Sequence, residues 1–179
     1  MVTLPYQPFH ELFPEIGLDE TRTMTVVRRN QYGVPPDEYA LLEMYCNDEN
    51  CDCQRIYITV VSAKKKSPMA VLTYGWETKE FYAKWYFKDS STELSELDDL
   101  DMEAVDDMHG IHLNLFSQQS KIAPNLMRMI FDLVLCDEDY VARIKRHYTM
   151  FRSKIDAQYR KEKTANAKPK STTKKKKKK

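Results

Sequence analysis

Three of the chain's four cysteines fall within eight positions, in the stretch YCNDENCDCQR that holds Cys46, Cys51 and Cys53. Thiolates are soft donors, and a borderline-soft tetrahedral ion such as Zn²⁺ takes nitrogen and sulfur ligands. Cys46-x4-Cys51-x-Cys53 therefore predicts a zinc-binding loop, although its spacing is not that of a zinc ribbon or knuckle. Two other readings exist, ordinary core cysteines and redox or catalytic thiols. Calcium fits poorly. Asp48-Glu49-Asn50-Cys51-Asp52 imitates the start of an EF-hand loop, but the sixth position is Cys53 where glycine is needed and the twelfth is Thr59 where glutamate is needed.

A tetrahedral site needs a fourth ligand, and the candidates are Cys136, His147, His109 and His112. If one helix carried both Cys136 and His147, they would lie about 16 Å apart and could not share an ion. His112 sits among apolar residues in GIHLNLF, which suits a structural histidine. Four protein ligands would make the ion structural. Water in the fourth place would make it a hydrolytic centre, with Glu43, Glu49 or Asp52 as base. The chain has no HExxH, no GxSxG elbow and no P-loop, so binding is expected over catalysis.

The loop must be held by its flanks. Arg55 to Ser62, RIYITVVS, is rich in β-branched residues and reads as a strand. Strands are also expected over Thr23–Arg28, Glu38–Cys46 and Met69–Trp76, with AKKKSP as a polar turn, which gives an antiparallel meander. Thr78–Phe87 suits a short amphipathic helix, with a strand as the alternative. Residues 89 to 108 carry nine Asp or Glu and read as an exposed acidic segment with one helical turn. Pro124 marks a helix start, and Asp137 caps a final helix with Tyr140, Val141, Ile144, Tyr148, Phe151 and Ile155 on one stripe. Strands first and helices last predict an α+β fold, a small antiparallel sheet packed by C-terminal helices. Residues 1–22, with Pro5, Pro8 and Pro14, read as an irregular arm, residues 23–160 as one α+β zinc-binding domain, and residues 161–179 as a disordered basic tail.

Charge is unevenly distributed. Residues 161–179 contain ten lysines and one glutamate, leaving 18 basic and 26 acidic residues before them, so the tail carries +9 and the body −8. Lys174, Lys175, Lys176, Lys177, Lys178 and Lys179 suit weak, salt-sensitive contact with nucleic acid but cannot read bases. Seven aromatics between Tyr74 and Phe87 suit core packing better than a stacking platform, because an acidic segment follows them. No apolar run is long enough for a membrane span, and the N-terminus lacks the pattern of a signal peptide. A cytoplasmic protein without a membrane partner is expected.

The runs YCNDENCDCQR, YGWETKEFYAKW, QQSKIAPNLM and YVARIKRHY, spread over residues 40 to 152, resemble a family of uncharacterised bacterial proteins with a Y-C-x-D-x-x-C-D-C-x-R core. Some of its relatives are grouped with proteins bearing the SEC-C metal-binding motif. The resemblance implies that the three cysteines and the RHY segment share one design, which favours His147 as the fourth zinc ligand. The chain lacks a terminal SEC-C module and has the lysine tail in its place. The combined expectation is a zinc-binding adaptor with a protein partner, an ion clipping the loop to the last helix, and hydrolase or nucleic-acid binder as alternatives.

Overall fold

The computed structural model describes residues 6–166. Its strands are β1 (Tyr6–Pro8), β2 (Arg22–Val26), β3 (Asp37–Cys46), β4 (Arg55–Ser62), β5 (Ser67–Gly75) and β6 (Gly110–Leu113). Its helices are α1 (Phe9–Leu12), α2 (Pro14–Glu20), α3 (Lys79–Phe87), α4 (Asp99–Asp106), α5 (Ala123–Leu133) and α6 (Glu138–Asn166). The strands form one antiparallel sheet in the order β1-β3-β4-β5-β6, and β2 pairs with the first half of β3 on the edge that β1 shares. The expected α+β meander with C-terminal helices is what the chain adopts.

The sheet is two-sided, as the period-two pleat requires. In β4, Ile56, Ile58, Val60 and Ser62 are buried, and the residues between them are only half-buried. In β3 the buried face reads Tyr39, Leu41, Glu43, Tyr45, so a carboxylate occupies a core register position. Helices α5 and α6 cover this face. Leu126, Met129 and Ile130 come from α5, and Tyr140, Ile144, His147, Tyr148, Phe151 and Ile155 recur at three and four along α6. Asp137 begins α6, its Oδ1 accepting from the amides of Asp139 and Tyr140 at 3.1 and 3.3 Å.

A smaller cluster of Tyr82, Ala83, Val105 and Met108 packs α3 against α4. Gly75 permits this. A Cβ there would lie 2.0 Å from the Met108 carbonyl oxygen and 2.6 Å from the Tyr82 hydroxyl.

Four expectations need correction. The N-terminal arm is ordered as β1, α1 and α2, because Phe9 is buried against Tyr45 and His147 while Pro14 starts α2. The acidic segment contains a 3₁₀ turn at Leu94–Glu96 and the two-turn α4, capped by the Asp98 side chain and anchored by buried Val105. The edge strand β6 was not foreseen. The tail boundary moves as well, since α6 continues through Asn166 and Lys163 pairs with Glu49 at 2.5 Å. Lys174 to Lys179 lie outside the described residues. Among those described, no helix is long and apolar enough to cross a membrane.

Candidate metal centre

Cys46 ends β3, Cys51 lies in the loop and Cys53 comes two residues before β4, so the hairpin itself brings the three together. Their sulfur atoms all lie within 4.8 Å of one another. Sulfurs bound about 2.3 Å from one tetrahedral ion would stand about 3.8 Å apart, so the cluster fits a single ion with small adjustments. Cys46 and Cys53 are 4% and 3% exposed, whereas Cys51 is half-buried and faces solvent in part. None of the three is in a disulfide.

The loop needs unusual backbone to make this turn. Asn50 and Gln54 take φ of 54° and 50°, the left-handed region that asparagine tolerates best among residues with a Cβ. Side chains from two helices hold it in place. Along α6, Tyr148, Arg152 and Asp156 follow one another at intervals of four and so share a face. The Tyr148 hydroxyl lies 3.3 Å from the Cys51 carbonyl and 3.4 Å from the Gln54 amide. Arg152 Nη1 donates to the Cys46 carbonyl at 2.7 Å, and the Asn50 amide donates to Asp156 Oδ1 at 3.2 Å. From α3, the Tyr82 hydroxyl donates to the Gln54 carbonyl at 2.8 Å and Trp85 Nε1 donates to Asp52 Oδ1 at 2.7 Å. Helix α3 had no place in the expected site, and α6 was expected to meet the loop through His147 and not through these three side chains. The four-residue spacing of Tyr148, Arg152 and Asp156 was visible in the sequence as the signal.

Proximity also divides the protons unequally. Hydrogen bonds from the Cys46 and Cys53 thiols, with attraction from Arg152, hold the Cys51 thiol far below the usual range. The bond to Cys51 pushes Cys46 up, and bonds to Cys46 and Cys51 together with burial push Cys53 up further. A thiolate formed in the cluster is thus stabilised by hydrogen bonds from its neighbouring thiols, and the thiolate is the form that binds metal.

His147 does not join them, which corrects the expected fourth ligand. Its ring is 1% exposed and stacks on Phe9 with centroids 4.2 Å apart. Nδ1 lies 2.7 Å from Glu43 Oε2, and Nε2 lies 3.2 Å from Glu20 Oε2. Both ring nitrogens are thus engaged by a separate cluster, away from the three sulfurs. Glu43 also accepts from the Tyr45 hydroxyl at 2.8 Å, and Arg146 pairs with Glu20. Glu43 was considered as a base, but here it serves as the buried partner of His147.

The other candidates lie elsewhere. Cys136 is exposed and its thiol donates to the Asp132 carbonyl at 3.0 Å. His112 Nε2 contacts the His109 carbonyl at 2.7 Å. Among the described residues the cluster gains no fourth Cys, His, Asp or Glu. The sequences outside them, MVTLP and AKPKSTTKKKKKK, contain none of these residue types.

The chain matches no family model, no curated protein and no solved structure. Its chemistry therefore has to be read from its own residues. They offer three convergent thiols on a braced loop, able to hold a metal ion.

Proposed function

We propose that this chain is a small cytoplasmic zinc-binding protein whose ion is held by Cys46, Cys51 and Cys53, and that it works as a binding or adaptor module. The convergence of the three sulfurs within 4.8 Å carries the reading. Zinc is favoured over harder ions because all three donors are thiolates. The likeness of YCNDENCDCQR to the core of the SEC-C-related bacterial family belongs to the same proposal. With Tyr148, Arg152 and Asp156 tying the loop to α6 directly, the ion is assigned to the loop alone, and no ion-mediated knot with the helix is invoked.

Purified protein loaded with Zn²⁺ and desalted should retain one ion per chain by elemental analysis, and Cys51→Ser should retain far less. Equal zinc in the two proteins would refute the assignment.

The missing fourth protein ligand favours one second reading, metal-dependent hydrolysis. Its expected bases are all engaged, Glu43 by His147, Glu49 by Lys163 and Asp52 by Trp85. Zinc-dependent turnover of activated esters or phosphates, lost in Asp52→Asn, would move the assignment to an enzyme. Binding of nucleic acid through Lys174–Lys179 remains a separate proposal. Because α6 runs through Asn166, the truncation that tests it begins at residue 167.

A further inference from the structure

We infer that the ion's fourth coordination position is filled by a thiolate from outside the chain's own fold, supplied by a small thiol or by a cysteine of another polypeptide. This rests on the zinc reading above. Two observations lead to it. Among the described residues no fourth Cys, His, Asp or Glu places a ligand atom with the three sulfurs, His147 facing two carboxylates and Cys136 lying on the surface. The cluster also reaches solvent, through half-buried Cys51, so an outside donor can approach it.

The chemistry of the three donors selects the fourth. Three thiolates outweigh the charge of a divalent ion and leave the site with one net negative charge. Such an ion withdraws little electron density from a bound water, so it is poorly suited to making hydroxide. A hard carboxylate gains little there for the same reason. A soft, polarisable sulfur completes the tetrahedral set that Zn²⁺ takes in four-cysteine sites. Binding releases the thiol's proton to solvent and displaces the water, and nothing is oxidised or reduced.

The test uses full-length protein loaded with Co²⁺, whose visible spectrum reports its ligands. Wild type binds one Co²⁺ per chain, and 2-mercaptoethanol raises the sulfur-to-metal charge-transfer absorbance by about one third, the ratio of four sulfur ligands to three. Sodium acetate leaves the spectrum unchanged. Metal remains at one per chain after desalting. An unchanged spectrum on adding thiol, or a spectrum altered in His147→Gln before any addition, would overturn the inference while leaving metal binding intact. Failure to bind Co²⁺ or Zn²⁺ at all would instead overturn the reading on which it rests.

Three arms distinguish the sources of the thiolate. Tighter binding of an end-blocked Gly-Cys-Gly peptide than of 2-mercaptoethanol identifies a polypeptide cysteine. The reverse order identifies a small thiol. Absorbance that grows with protein concentration in wild type but not in Cys136→Ser identifies a second copy of this chain.

Discussion

Two polar clusters hang from the same strand three residues apart, and they are built in opposite ways. Around Glu43, the chain supplies a partner for every interaction the site needs, with His147 between two carboxylates and the Tyr45 hydroxyl on the inner one. Around Cys46, the described residues supply three sulfurs and no fourth Cys, His, Asp or Glu. Both clusters face α6, His147 meeting the first and Tyr148 with Arg152 bracing the second. A self-sufficient cluster fixes structure, whereas one that lacks a ligand has capacity for something from outside. The histidine that seemed able to complete the metal site is unavailable to it because the neighbouring cluster uses both its nitrogens.

The comparison breaks most visibly at Glu43. Glu43→Ala leaves the buried His147 ring and the Tyr45 hydroxyl without their carboxylate partner and should cost about 3 kcal/mol in chemical denaturation, with zinc stoichiometry unchanged. Loss of zinc along with stability would join the two clusters into one. Next is the metal itself. Free Zn²⁺ at a hundred times its Kd should stabilise wild type by about 2.7 kcal/mol and leave Cys51→Ser unaffected, as read from thermal unfolding with and without chelator. Tyr148→Phe removes a hydroxyl from the loop and should cost about 1 kcal/mol, with weakened zinc affinity, because the brace and not the ion joins the loop to α6. A Tyr148→Phe protein with wild-type affinity would show that the ion positions its own loop.

The smallest effect near neutrality belongs to the tyrosines. Burial, with Glu43 beside it, raises Tyr45 well above the usual phenol range, and burial raises Tyr140 likewise. A phenol with a raised folded-state pKa contributes stability that is present below its unfolded value of about 10 and is lost as pH climbs past it. The ionisation of Tyr45 and Tyr140 should therefore appear only together with unfolding above pH ~10. Smooth titration of all eleven tyrosines in a folded protein would contradict the burial of the first cluster.

What the sequence disclosed follows the length and regularity of its signals. The strands β3, β4 and β5 and the helices α5 and α6 were legible because each offers several repeats of its own period. The three cysteines were legible as a cluster because a hairpin brings the ends of its own loop together. Short elements were not. The four residues of β6 give no alternation to read, and the prolines of the arm suggested irregular chain although Pro14 sits where a helix begins. In α4, the Asp98 cap was available but was outweighed by the run of charge. The role of His147 was hidden for a different reason. Spacing places a side chain on a face but does not say which partners its nitrogens meet, and the clue lay on strand β3, where Glu43 interrupts the apolar register.

Zinc-edge X-ray absorption on the loaded wild-type protein, without added thiol, tests the central claim most directly. The account predicts at least three sulfur neighbours at about 2.3 Å and no outer-shell scattering from an imidazole ring. Two or fewer sulfurs, or the signature of a coordinated histidine, would contradict it.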